Sequence, residues 1–138
     1  MKYTVRKNRL YVGGNEVLRY RIEYPVFCEY PKISALLEKI ADNCEEYCVG
    51  TLFSSGGRSV YEMKVRALHH GGGALSLLIR AELVKNEEEN TFARGVTFDT
   101  KTELMMPPRL IIRRFGKRGV KYPKKGDIIL IDGDIQSL

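Results

Sequence analysis

A chain of 138 residues, 43% apolar and 29% charged, has the length of one globular domain, and about two-thirds of its unfolded surface can be buried without help from a metal or a disulfide. The longest uncharged apolar runs are a few residues, as at 128–131, against the roughly 20 needed to span a membrane, and the first six residues hold no apolar leader, so the cytoplasm is the expected compartment. The net charge of +6 is concentrated in residues 109–125, which carry eight basic side chains and no acid.

In chain order, Tyr3 to Val12 and Leu18 to Tyr24 read as two strands joined at Gly13-Gly14-Asn15, residues that tolerate positive φ in a tight turn. Leu18, Tyr20, Ile22 and Tyr24 alternate with Arg19, Arg21 and Glu23, the period of a half-buried strand, and Pro25 is expected to end it. Residues 31–48 carry the clearest helix. Pro31 suits its first turn, and Ile33, Leu36, Leu37, Ile40, Cys44, Tyr47 and Cys48 form an apolar stripe at spacings of three and four. Gly50 is the expected stop, followed by the loop Ser54-Ser55-Gly56-Gly57. Cys44 and Cys48 fall on the apolar stripe and read as packing residues, and three cysteines do not make a disulfide framework.

A three-stranded meander comes next. Tyr61, Met63, Val65 and Ala67 alternate with charged residues, Gly71-Gly72-Gly73 turns the chain, and Leu75, Leu77, Ile79, Ala81 and Leu83 alternate again. The acidic turn 85–90 leads to a third strand, Phe92 to Asp99. Tight polar turns between short strands imply antiparallel pairing. Pro107-Pro108 then breaks the chain, Arg109 to Phe115 makes a short helix ended by Gly116, 117–126 reads as a basic loop, and Asp127 to Ile131 is a last strand closed by the turn Asp132-Gly133-Asp134.

Little in the sequence has the form of a catalytic site. His69 and His70 are adjacent on a strand, so they point to opposite faces, and neither has a carboxylate or thiol at a ligand spacing. No nucleophile elbow occurs, and Gly71-Gly72-Gly73 lacks the Gly-Lys-Ser/Thr of a phosphate loop. The acidic pairs fall where wet faces and turns are expected. No catalytic residue, metal ligand or cofactor is assigned.

The basic segment is the strongest physical signal. Arg109, Arg113, Arg114, Lys117, Arg118, Lys121, Lys124 and Lys125 repel one another, a cost that an anionic partner would offset. They form the candidate binding surface for a protein or an anionic polymer. With Phe115 and Tyr122 interleaved to stack on bases, the same residues would alternatively bind nucleic-acid phosphates. A solvated loop that keeps the protein soluble is the plainer reading.

Several short motifs follow one another in order: Tyr20-Arg21-Ile22-Glu23-Tyr24-Pro25, the helix near 33–47, Gly73-Ala74-Leu75-Ser76-Leu77, and Phe98-Asp99-Thr100-Lys101-Thr102. Over residues 17–112 this order resembles the domain of unknown function found in RsiV-type anti-sigma factors and beside bacterial peptidoglycan deacetylases. In that family a Y-x-I-x-Y-P strand, an amphipathic helix, a G-G-x-L-S-L strand and an F-D-x-x-T-G strand end recur. Here Glu103 stands where the family has glycine, and the acidic 85–90 stretch replaces a Gly-Gly-Ala-His element. The resemblance implies a non-catalytic recognition domain, usually outside the membrane, one branch of which binds lysozyme; no residue of this chain marks that interface.

The expectation is therefore a single α+β domain over 1–138. Its antiparallel sheet has about five to six strands (hairpin, meander, C-terminal strand) and packs on one main amphipathic helix. Its expected role is non-enzymatic binding, through the sheet's exposed face or the 109–125 segment.

Overall fold

A computed structural model describes residues 2–122 and 127–137. The elements follow in the order β1 (Lys2–Gly13), β2 (Glu16–Phe27), α1 (Pro31–Tyr47), a π-helical turn (Cys48–Leu52), β3 (Arg58–Gly71), β4 (Ala74–Lys85), β5 (Glu88–Asp99), α2 (Pro108–Phe115), β6 (Ile128–Ile131) and β7 (Asp134–Ser137). The fold is α+β, with a five-stranded sheet in the order β1-β2-β3-β4-β5 and a separate hairpin of β6 and β7. The chain divides into two compact units, Met1–Val65 with Arg80–Phe92, and Arg66–Ile79 with Ala93–Leu138. The three long strands β3, β4 and β5 contribute to both.

In the first unit β1 and β2 are antiparallel in continuous register from Lys2↔Phe27 to Gly13↔Glu16. Antiparallel pairing throughout was the sequence expectation, but β2 and β3 run parallel from Val17↔Arg58 to Glu23↔Lys64. The helix explains this: α1 and its π turn carry the chain back to the end of β2 where that strand began, the crossover that a parallel pair requires. The two-residue turns at Gly72-Gly73 and Asn86-Glu87 leave β3/β4 and β4/β5 no alternative to antiparallel pairing. Leu18, Tyr20, Ile22 and Tyr24 are buried on the face that α1 packs against, as the period of two predicts.

Pro25 does not end β2. It pairs with Thr4 two residues past the last β3 partner, Glu23, where the strand has one neighbour and a missing N–H is tolerated. Beyond it, the Phe27 N–H donates to Ser34 Oγ at 2.8 Å and that hydroxyl donates back to the Phe27 carbonyl at 2.9 Å, fixing the entry to α1. The helix buries Ile33, Leu37 and Ala41, a narrower stripe than the sequence outlined, and leaves Leu36 and Tyr47 exposed. Nor does Gly50 stop it. The backbone widens into the π turn, which places Cys48 and Leu52 in the core.

The second unit has its own core. Ala74, Met106, Ile111, Ile128 and Leu130 are buried together, with Leu110, Ile112, Phe115 and Ile135 packed at the edge. The last strand does not join the large sheet as expected; it turns at Asp132-Gly133 and pairs with β7. Among the described residues no helix is long and apolar enough to cross a membrane.

Candidate functional site

Residues 108–115 form an amphipathic helix because apolar and basic side chains divide at helical spacing. Pro107 is extended and Pro108 opens the first turn, where its absent N–H costs nothing. Leu110, Ile111, Ile112 and Phe115 face the second core, which leaves Arg109 and Arg113, four residues apart, exposed on the opposite side. Like charges at that spacing oppose the helix by a few tenths of a kcal/mol, while Arg113 and Arg114 in the last turn favour it through the helix dipole.

Not all of the basic residues are available to a partner. Arg114 is turned to the protein: Nη1 donates to Asp99 Oδ2 at 2.7 Å, Nη2 donates to the Gly72 carbonyl at 3.1 Å, and the guanidinium lies 5.7 Å from the Phe115 ring centre. The glycine turn makes room for it. Gly73 has φ +80, and a Cβ there would lie 2.5 Å from Arg114 Nη2. Lys117 forms a loose, exposed pair with Asp134 at 3.7 Å, worth little in water. Arg118 and Lys121 are exposed and, like Arg109 and Arg113, have no ion-pair partner among the described residues. Lys124 and Lys125 lie outside the described residues.

The aromatic residues expected to stack on bases are engaged within the protein. Phe115 packs at the edge of the second core with its ring centre 5.9 Å from that of His69, and the Tyr122 hydroxyl accepts the Lys117 N–H at 2.7 Å. His69 Nε2 is in turn 2.8 Å from the Gly71 carbonyl, so the ring helps to hold the turn. No group of three metal-ligating side chains occurs among the described residues.

The motif residues prove to be the fastenings of the second unit. Ser76 Oγ and Thr97 Oγ1, both buried, are 2.5 Å apart, and the Leu130 N–H donates to Ser76 Oγ at 3.0 Å. Asp99 accepts the N–H groups of Lys101 and Thr102 at 2.8 and 3.0 Å with one oxygen and Arg114 with the other. Glu103, where the resembling motif has glycine, takes a positive φ of 58°, the left-handed region that favours glycine. The serine, threonine and aspartate thus have structural work.

The Asp99 carboxyl is held below its ordinary value of 3.8, first by the Thr102 N–H, then by the Lys101 N–H and Arg114, with partial burial opposing. A depressed carboxyl stabilises the fold above its unfolded value and loses that contribution as pH falls through the folded one. On acidification from about pH 4 towards pH 2, wild-type stability should therefore fall more steeply than that of Asp99→Asn. Parallel urea titrations at each pH would show it, and equal slopes would refute it.

The three thiols lie in different surroundings. Burial, before the neighbouring Cys44 and Glu45, pushes the Cys48 thiol up to about 12, whereas Cys28 is exposed. A thiol titration of the native protein should give a fast phase from Cys28, with Cys48 reacting only on unfolding. Loss of the fast phase in Cys28→Ser would verify the assignment.

No family model matches this chain, and no curated protein matches it. Solved structures do. A DUF3298 family protein from Pseudomonas aeruginosa superposes with a TM-score of 0.62 at 8% identity, over 78% of this chain and 55% of that one. A DUF3298 family member from Bacteroides fragilis gives 0.51 at 10% identity, over 78% and 58%. This chain spans little more than half the length of either neighbour. At such identities the likeness is one of fold, and the shared fold is that of a domain of unknown function.

Proposed function

We propose that this chain is a non-enzymatic recognition domain that binds an anionic protein or polymer through the outer side of α2 and the chain that follows it. The observation that carries the reading is the division of α2: its apolar side is used up by the core, and Arg109 and Arg113 are displayed with Arg118 and Lys121 without an acid to neutralise them among the described residues. The structural work of Ser76, Thr97, Asp99 and His69, and the raised Cys48 thiol, favour a role without catalysis. The motif resemblance to domains of RsiV-type anti-sigma factors favours recognition in the same way. Nucleic acid is the weaker alternative, because Phe115 and Tyr122 are spent internally.

The test is fluorescence anisotropy with labelled polyglutamate, a sulfated polysaccharide, RNA and duplex DNA, on wild type and Arg109→Glu/Arg113→Glu. Arg114 is left intact, because its loss would unfasten the Asp99 turn. Polyglutamate or polysaccharide binding that weakens at least about tenfold in the double variant is the expected result. Four phosphate contacts on duplex DNA would instead give a log–log salt slope of about −3 to −4 and move the reading to nucleic acid. Equal affinity of wild type and variant for every ligand would overturn the α2 surface altogether.

A further inference from the structure

The face of the first unit's sheet turned away from α1 carries a second arrangement of charge. Cross-strand partners share a face, so the two registers lay out a grid on this side. One row is Leu10, Arg19 and Val60; the next is Asn8, Arg21 and Glu62. Together with Arg9 they line a depression of about 420 Å³, within the volume range of small-ligand sites.

The two rows differ in chemistry. Arg19 lies between Leu10 and Val60, which are 55% and 43% exposed, and it has no ion-pair partner among the described residues. Arg21, by contrast, lies 3.9 Å from Glu23, which Arg6 also approaches at 3.6 Å. Arg19 is thus a cation without an ion pair set between apolar neighbours, while Arg21 is only loosely paired and Arg9 borders the same depression. Beside it, the exposed Asn8 and Glu62 present hydrogen-bonding groups that peptide amides can engage and an alkyl chain cannot.

We propose that this depression binds an acidic peptide segment of a partner protein, a carboxylate flanked by apolar side chains. The carboxylate takes Arg19, the apolar neighbours cover Leu10 and Val60, and peptide amides supply the donor for Glu62 and the donor and acceptor for Asn8. A fatty acid makes the first two contacts and lacks the third, which favours peptide over lipid. This site lies on β1, β2 and β3 and is independent of the α2 surface.

The experiment is amide chemical-shift titration of the full chain with a blocked Leu-Glu-Leu-Glu peptide, its Leu-Gln-Leu-Gln counterpart, and octanoate, up to about 5 mM ligand. Shifts should appear at Leu10, Arg19, Val60 and Glu62 with the acidic peptide, and Arg19→Gln should weaken its binding about tenfold. Arg109→Glu/Arg113→Glu should leave this titration unchanged, so failure here and failure of the α2 surface are separable. The proposal is overturned if the acidic peptide causes no shift at these residues, if the glutamine peptide or octanoate binds as well, or if Arg19→Gln has no effect.

Discussion

Ser76→Ala should destabilise the protein by about 2–3 kcal/mol, read as a lower urea midpoint at unchanged slope. The reason is what the hydroxyl leaves behind. Ser76 Oγ accepts the Leu130 N–H at 3.0 Å and lies 2.5 Å from Thr97 Oγ1, and both Ser76 and Thr97 are buried. Alanine at 76 orphans a backbone donor and a second hydroxyl where water does not reach them, and an unsatisfied buried group costs more than a bond is worth. Thr97→Val placed on top of Ser76→Ala should then add less than it does alone, because the hydroxyl it removes is already without its partner. A loss under about 0.5 kcal/mol in Ser76→Ala would show that the pair is not the fastening described.

A second large effect is expected at Gly95. A Cβ built on this residue would stand 2.1 Å from Ile129 Cγ2, an overlap that backbone or strand must move to relieve. Gly95 also donates its N–H to Asp127 Oδ2 at 3.0 Å, and Arg94 Nε donates to the same oxygen at 2.6 Å, so movement strains those bonds too. Gly95→Ala should cost about 3 kcal/mol, at the upper end for overpacking. Ile129→Ala removes the clashing methyl and is itself destabilising, since Ile129 is buried. The double variant should be more stable than the sum of the two losses by at least about 1 kcal/mol in a double-mutant cycle. Additive losses would mean that the contact of β5 with β6 is looser than the geometry states.

Both residues belong to the unit that supports α2. The core beneath that helix includes Leu130, whose N–H Ser76 accepts, so the display of Arg109 and Arg113 depends on polar groups far from them in sequence. Substitutions at 76 or 95 should therefore weaken polyanion binding only to the extent that they unfold the protein. Arg109→Glu/Arg113→Glu should weaken it without a comparable loss of stability. This contrast distinguishes a surface from its support.

The features legible from residue order are those that short-range physics controls. The period of two in 18–24, the three- and four-residue spacings of 33–48, the glycine turn at 71–73 and the short helix at 109–115 depend on contacts within a few residues. So does the concentration of charge in 109–125, which is a matter of composition. Features that need a distant partner emerge only when the chain packs. The α+β class was legible, yet the parallel β2–β3 pair was not, because strand direction follows from where a crossover returns the chain. Of eight similar cations, Arg114 is withdrawn because Asp99 and Gly72, at separations of 15 and 42 residues, come to meet it. Phe115 and Tyr122 read as free aromatics until the fold supplied a core and a backbone donor for them. Pattern is local and records which face is wet, whereas partnership is non-local and is fixed only when the whole chain packs.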